Sequence, residues 1–584
     1  MKRSLMTLQD CSKGYTLDQD KVCTPRETVE RFKKLLQEVD LDILREVKRI
    51  DTGRLGIPVY FSICGRDAYQ AIGNKKQMGK GSTPDQSQAS ACMELAERFS
   101  FFSFIKNPAN FLTDTYNNLL EKGEPVLGLE YLLQSVHDTT TSPEELKILL
   151  GDLPMRWTWA TNLHRNQGVL VPFSWFYAIN EFNGPSAGNT YEEAIIQGIS
   201  EIIERHVCAV VTRERLRTPR IDPDSVTDPV ARELIHKFTR HGIRLYLNDF
   251  TLDTGIPTVA ALAMDPATFP DRSEIVYTAG TTPDPHKALI RALTEVAQLA
   301  GDFETKSNYV ASGLPKPLSL DEVDYLVNTS CTVSIQELPD LSDQNLKKEI
   351  ENYLEALDRL GMEVLLVDTM HPQLNVPAIY TIIPGAHFRE RSMIENSGLF
   401  AAKIVHDQIT DPEEQLIHFE RMREIRPDAY YLEFYLGKNL MARGLHHQAE
   451  ERFRRSLELS PMEEDIPYIY AFLGDCLKEM GEYDQALAVL RQGLAHDEER
   501  PDIHNLLGFC HFKRGEHEEA AHHFARAVEL NPASAIDHAN LGINLKKLNR
   551  LDEAAHCLKL ALTMDPSLEF ARPHLEELMN CREA

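Results

Sequence analysis

The stretch SAGNTYEEAIIQGISEIIERHVC, residues 186–208, governs how the first two-thirds of this 584-residue chain is read. A turn rich in Gly and small residues, Ser186-Ala187-Gly188-Asn189-Thr190, precedes an amphipathic helix. Ile195, Ile199, Ile202, Ile203 and Val207 fall on one side at helical spacing and predict the face that meets a core. The opposite stripe carries Glu193, Glu201 and Glu204, with Gln197 among them and no lysine interleaved. On an open surface, like charges at this spacing cost a few tenths of a kcal/mol per pair. Inside a cleft they cost much more unless a cation bridges them.

The arrangement occurs twice more. Gly79-Lys80-Gly81-Ser82-Thr83 leads to Ser90, Glu94 and Glu97, and Ala279-Gly280-Thr281-Thr282 leads to Arg291, Glu295 and Gln298. Offsets of four and seven place the members of each set on one helical face. A solvated face accounts for any one such helix. Three with the same offsets, each after a Gly-containing turn, favour a site for Mg2+ and phosphate. Magnesium takes hard oxygen donors, commonly a few carboxylates together with nucleotide phosphates. Arg291, Lys80 and the helix N-termini would meet the phosphate charge.

Around these motifs, strand and helix patterns intermingle without a break. Strands are expected at Val59–Cys64, Pro172–Ile179, Ile243–Leu247, Thr258–Ala263, Glu274–Thr278, Val364–Val367 and Ala378–Ile383. Helices are expected at Glu27–Val39, Pro229–His241, Leu346–Leu360 and Ser392–Asp407. This predicts one large α/β or α+β domain over residues 1–410. A polar, acidic stretch, 411–429, reads as a helical connector.

Residues 430–584 carry an internal repeat. Leu436-Gly437, Leu473-Gly474, Leu507-Gly508 and Leu541-Gly542 recur in register, and Gly444, Gly481, Gly515 and Asn549 follow each as helix-ending residues. Ala449, Ala486, Ala520 and Ala554 come next, then the anchors Phe453, Leu490, Phe524 and Leu558. Pro461, Pro532 and Pro566 close three units, while the second has Glu498 at that place behind an insertion. This is the tetratricopeptide (TPR) pattern: four units and a capping helix over Leu568–Met579, an all-α solenoid that presents a surface to a protein partner. Roughly half of the chain's histidines lie here, and surface histidine explains them better than a metal site.

Composition narrows the remaining classes. A net charge of −27 argues against sequence-independent nucleic-acid binding. No apolar run is long enough to span a membrane, and the N-terminus lacks a signal-peptide core. Ten scattered cysteines fit reduced thiols in a cytoplasm. Cys208, on the apolar side of its helix, reads as core rather than nucleophile.

The segments SACMELAER (90–98), GNT with QGISEIIER (188–205) and RALTEVAQ (291–298) resemble the three nucleotide-site motifs of the YcaO family, a likeness spanning most of residues 20–410. It implies an α+β, ATP- and Mg2+-dependent enzyme that phosphorylates a backbone amide oxygen. The product would be a thioamide, an azoline of the cyclodehydratase type, or a related modified peptide. By the same likeness, Glu94, Glu97, Glu201 and Glu204 would hold magnesium. Ser90, Asn189, Glu193, Gln197, Arg205 and Glu295 would contact nucleotide, as would Lys21 and Thr28. Glu201, Glu204 and Arg291 would carry catalysis, with Arg291 on the phosphates. The proline-rich tail of azoline-forming members is missing and no fused peptide-binding domain is evident, which favours thioamide formation and gives the repeats the task of recruiting a peptide or protein substrate. A sulfur-delivery or ribosome-modifying protein is a further candidate partner. The likeness also allows a homodimer. The alternative is a non-catalytic nucleotide-binding accessory factor, as for methylthiolation of a small-subunit ribosomal protein.

Overall fold

A computed structural model describes residues 5–73, 76–180, 183–304, 317–329, 331–388, 395–532 and 534–583. The chain divides into two compact units, Met1–Phe400 and Ala401–Ala584.

The first unit is built on three sheets among the described residues. One is an antiparallel sheet of Leu44–Arg49, Val59–Cys64 and Lys76–Lys80. The second runs in the order Val276–Thr281, Thr258–Met264, Arg244–Asp249, Arg220–Ile221, Thr332–Val333. The third contains Leu112–Asp114, Met155–Asn162, Leu365–Asp368, Ala378–Ile382 and Pro185–Ala187, with Gln167–Pro172 paired to Met155–Asn162. Each sheet receives one motif helix. Pro84–Lys106 packs on the first, Pro285–Ala300 on the second and Tyr191–Glu214 on the third. The predicted apolar side of the last helix is its buried side: Ile195, Ile199, Ile202, Ile203 and Val207 are all essentially inaccessible.

Two local expectations need correction. Pro172–Ile179 is not a strand: the strand ends at Pro172 and Phe173–Asn180 is a helix, with Phe173, Trp175 and Phe176 all buried. A short apolar run of this kind does not distinguish a buried helix from a buried strand. The small-residue segments before the motif helices are also not simply turns. Ala279, Gly280 and Thr281 belong to the strand Val276–Thr281, and a Cβ on Gly280 would lie 2.3 Å from the Ala288 carbonyl oxygen and 2.7 Å from the Ala292 nitrogen. Glycine is needed there because the helix lies directly against the strand. The helix expected over Ser392–Asp407 is Ser397–Gln408, its first predicted residues falling outside the described ones.

Among its described residues the second unit contains helices and no strand. The segment expected as a connector folds as helix Pro412–Ile425, and its Gln415 accepts a hydrogen bond from Asn439 at 3.1 Å. Four helix pairs follow, Tyr430–Ala442 with His446–Glu458, Ile466–Glu479 with Tyr483–His496, Pro501–Lys513 with His517–Leu530, and Ala535–Lys547 with Leu551–Met564, before a final helix Ala571–Glu583. The repeat positions now have physical reasons. Gly444, Gly481 and Gly515 adopt φ of 73°, 78° and 76°, and Asn549 61°, the left-handed conformation that ends each first helix. Ala449, Ala486, Ala520 and Ala554 are fully buried between paired helices. A Cβ on Gly437 would sit 2.6 Å from the Phe453 ring, so the glycine admits the anchor of its partner helix. Replacing Gly437 by Val in the full chain is expected to lower stability by about 1–3 kcal/mol through overpacking. Denaturant unfolding followed by helical circular dichroism measures this.

Within the first unit, His137 and His387, both half-buried, form a stack with the buried His206. The rings of His137 and His387 lie 3.6 Å apart at 13°, those of His206 and His387 5.4 Å apart at 9°. The His387 backbone N–H donates to His206 Nδ1 at 3.0 Å. Burial, and secondarily the neighbouring imidazoles, hold His206 down at about 4 and His387 at about 3. Burial also lowers His137. Groups with depressed folded pKa leave the native state binding fewer protons than the unfolded chain below the ordinary histidine value of ~6.5. Their contribution is therefore intact above that pH and is lost as pH falls toward the folded values. The urea midpoint of His387→Phe, which keeps a ring in the stack, is expected to fall less steeply than wild type between about pH 6.5 and 4.

Candidate active site

The three motif helices begin on side-chain caps. Thr83 accepts the Gln86 N–H at 3.2 Å, Thr190 the Glu193 N–H at 3.3 Å and Asp284 the His286 N–H at 2.8 Å. These caps set the start of each helix and thus which residues turn toward one another.

What the helices bring together is a mostly enclosed charge cluster. Glu94, Glu97 and Arg98 come from the first helix, Gln197, Glu201, Glu204 and Arg205 from the second, Arg291 and Glu295 from the third, and Lys80 from the strand before the first. Arg291 is its brace. Its Nη1 donates to Gln197 Oε1 at 2.7 Å, and its Nε lies 3.2 Å from Glu204 Oε2. That second contact is an ion pair without hydrogen-bond alignment, so Glu204 Oε2 and Arg291 Nε, both buried, lack a hydrogen-bond partner among the described residues. Glu204 is 6% exposed and Arg291 14%. Lys80 pairs with Glu295, Arg98 Nε lies 3.3 Å from Glu97, and Arg205 lies 4.0 Å from Glu201.

The carboxyls respond unequally. Burial raises Glu97 well above the usual carboxylate range, with Glu201 and Glu94 adding repulsion that Arg98 and Arg291 only partly offset. Burial also raises Glu94 and Glu204 against the pull of their cations. Glu295 moves the other way: burial pushes it up, but Lys80 and Arg291 together outweigh this and hold it ionised. The cluster thus contains five carboxyls facing four cations, Lys80, Arg98, Arg205 and Arg291. This corrects the picture of an unbalanced acidic stripe, because the balancing charges arrive from other turns and other helices. Arg98 was the residue missed. The repeated Glu-Arg ending of two motifs, Glu97-Arg98 and Glu204-Arg205, was its visible signal.

The remaining predicted residues serve at the entrances of the helices. Glu193 is buried, and its oxygens accept the backbone N–H groups of Val22 at 2.6 Å and Asn189 at 2.8 Å. Asn189 Nδ2 donates to Thr28 Oγ1 at 3.1 Å, and Ser90 Oγ accepts the Lys80 backbone N–H at 3.3 Å. Lys21 is half-buried, is held through its backbone to Tyr15, and has no ion-pair partner among the described residues. Cys208 is buried, as its place on the apolar side required.

The donor set fits a hard divalent cation with phosphate. Glu94 and Glu97 face Glu201 from another helix, and Glu204 retains a buried oxygen with no hydrogen-bond donor among the described residues. Among the described residues, no three acidic, His or Cys groups already close into a cage. A cation held here would therefore complete its shell with other oxygens, as magnesium does. No helix of the described residues is long and apolar enough to cross a membrane.

Comparison with known proteins agrees with this geometry. The family model described as YcaO cyclodehydratase, ATP- and Mg2+-binding, matches residues 78–387, and tetratricopeptide models match 473–535 and 538–568. An uncharacterized protein of Methanothermobacter thermautotrophicus is 29% identical over 386 residues, 62% of this chain and 93% of its own length. The ribosomal protein S12 methylthiotransferase accessory factor YcaO of Escherichia coli is 31% identical over 234 residues, 38% of this chain and 39% of its own. The structure of YcaO from Methanopyrus kandleri bound with AMPPCP and Mg2+ covers 64% of this chain and 94% of its own, with a TM-score of 0.50 at 24% identity. A heterocyclase in complex with substrate and cofactor covers 66% and 55%, with a TM-score of 0.52 at 22% identity. At these identities the structural likeness speaks to the fold. With a matching model that covers more than half of its length, this chain belongs to the YcaO family, whose domain binds ATP and Mg2+, and it carries tetratricopeptide repeats in its C-terminal part.

Proposed function

We propose that the protein is an ATP- and Mg2+-dependent enzyme that activates a backbone amide of a peptide or protein by phosphorylating its oxygen. The observation that carries this reading is the convergence of Glu94, Glu97, Glu201 and Glu204 with Lys80 and Arg291 in one enclosed cluster. An amide oxygen is a poor leaving group. Once it takes the γ-phosphoryl group of ATP and ADP departs, a sulfide or a side-chain nucleophile can attack the amide carbon. Phosphate then leaves with the former amide oxygen, giving a thioamide or, by cyclisation, an azoline.

Such transfer needs positioning and charge neutralisation more than covalent chemistry from the protein. Glu94, Glu97, Glu201 and Glu204 would hold magnesium, which when bound neutralises phosphate charge. Arg291, already fixed by Gln197 and Glu204, would meet phosphate oxygens, and Lys80 would add charge from beside Glu295. Asn189, Thr28 and Ser90 lie at the helix entrances, where polar groups of a nucleotide would be met. The repeats would recruit the substrate or a partner protein. A second reading, a nucleotide-binding accessory factor without turnover, is favoured by the name of the Escherichia coli relative.

In the full-length chain, Glu201→Ala with Glu204→Ala is expected to weaken binding of AMPPCP in the presence of Mg2+ by at least about tenfold, about 1.4 kcal/mol. Isothermal titration measures this, and unchanged affinity would remove these residues from the site. Incubating the wild-type chain with ATP, sulfide and proteins it captures, followed by peptide mass spectrometry, separates the two readings. An oxygen-to-sulfur replacement or a loss of water supports the enzyme, and unmodified captured protein supports the accessory factor.

A further inference from the structure

Residues 14–22 form a hairpin outside the segment matched by the family model, closed by backbone hydrogen bonds from Gly14 and Tyr15 to the Lys21 carbonyl and from Lys21 to the Tyr15 carbonyl, each at 2.9 Å. It touches all three motif elements. Asp18 is buried and accepts hydrogen bonds from Tyr15 at 2.7 Å and from Ser82, in the loop before the first motif helix. The Val22 N–H donates to Glu193 in the first turn of the second. Asp20 pairs with Lys287 in the first turn of the third. Lys287 precedes Arg291 by four residues, so both lie on one face of that helix.

Asp20 does more than meet one lysine. Its other oxygen lies 2.7 Å from Lys13 Nζ, and Lys13 in turn lies 2.5 Å from Glu349 Oε1, on helix Leu346–Asp358. All four side chains are nearly enclosed: Lys13 is 3% exposed, Asp20 9%, Lys287 11% and Glu349 0%. Two carboxyls face two ammonium groups here, burial lifts Glu349 to about 7, and Asp20 is the member that both lysines share. Breaking an enclosed pair by removing one partner leaves an uncompensated charge. Losing Asp20 would therefore push Lys13 and Lys287 apart and free the hairpin from the third motif helix. Next to Asp20 in sequence is Lys21, whose ammonium the described protein residues leave without an anion.

We propose that Asp20 is a positioning residue of the nucleotide site, tying the hairpin to Lys287 so that the start of the helix carrying Arg291 is held against the loop before the first motif helix and the first turn of the second. This rests on the reading of the cluster as a nucleotide site. It assigns the N-terminal hairpin as a fourth wall of that site, contributed by a segment outside the matched family domain. Lys13 and Glu349 anchor the wall from behind and do not themselves meet nucleotide.

The test measures AMPPCP affinity with Mg2+ on the full-length chain for wild type, Asp20→Asn, Lys287→Met, the double variant and Lys287→Arg. Arg165→Ala serves as control, because Arg165 pairs with Glu363 at the surface. Asp20→Asn and Lys287→Met are each expected to weaken binding about tenfold, and the double variant no more than either alone, since both act through one tie. Lys287→Arg keeps the charge pair and should bind like wild type, which a purely structural loss would not predict. Single variants within about twofold of wild type, or a double variant with the full product of both effects, overturn the tie. If Glu201→Ala with Glu204→Ala loses binding while Asp20→Asn does not, the nucleotide reading stands and this inference falls. Absence of binding by the wild type overturns both.

Should Asp20→Asn fail to fold, hydrogen–deuterium exchange on the wild-type chain decides. Protection of amides in 14–22 on adding AMPPCP and Mg2+, together with the motif helix starts, supports the wall. Protection at the helix starts without the hairpin overturns it.

Discussion

The Arg291 side chain is the interaction on which the candidate site depends. Its guanidinium reaches from the third motif helix to Gln197 and Glu204 on the second, joining helices that pack on different sheets. Few other residue types could do this. Arginine stays charged in an enclosed setting and presents several donors in a fixed plane. Around it, carboxyls that would repel one another at close range are held by Lys80, Arg98 and Arg205, leaving Glu97 and Glu204 raised and Glu295 ionised. The cluster is thus balanced enough to fold and still offers buried oxygens to a cation.

The same economy of contacts shapes the repeats. Each unit must bury a large anchor against a neighbouring helix, and it does so by omitting a side chain opposite. Gly437 faces Phe453, Gly474 faces Leu490, Gly508 faces Phe524 and Gly542 faces Leu558. Buried residues from successive units join into continuous cores, Leu440 through Cys510 and Ala520 through Leu578, so each repeat is stable because its neighbours are present. The array is one stacked body in its own right, separate in construction from the sheet-based unit that precedes it.

Much of this was legible in the residues because it is local. Helical offsets place Ile195, Ile199, Ile202 and Ile203 toward a core and Glu201 and Glu204 on the opposite stripe, and the repeat register marks the helix-ending Gly444, Gly481 and Gly515. The Pro172–Ile179 segment was misread because an apolar run of that length carries no period that separates strand from buried helix. Arg98 was passed over although its chief carboxyl partners, Glu97 and Glu94, lie one and four residues back on its own helix; spacing could have shown these, and only Glu201 comes from another helix.

By itself, then, the sequence determined the helical faces, the motif residues and the four-unit solenoid, since periodicity and glycine placement act within a few residues of one another. Which charges meet is settled by packing. Lys80 finds Glu295, Arg291 finds Glu204, and Asp20 lies between Lys13 and Lys287. Apart from Lys13 with Asp20, these pairs join residues far apart in the chain, and they form only when separate sheets and helices pack and shut out the water that would otherwise screen each charge alone.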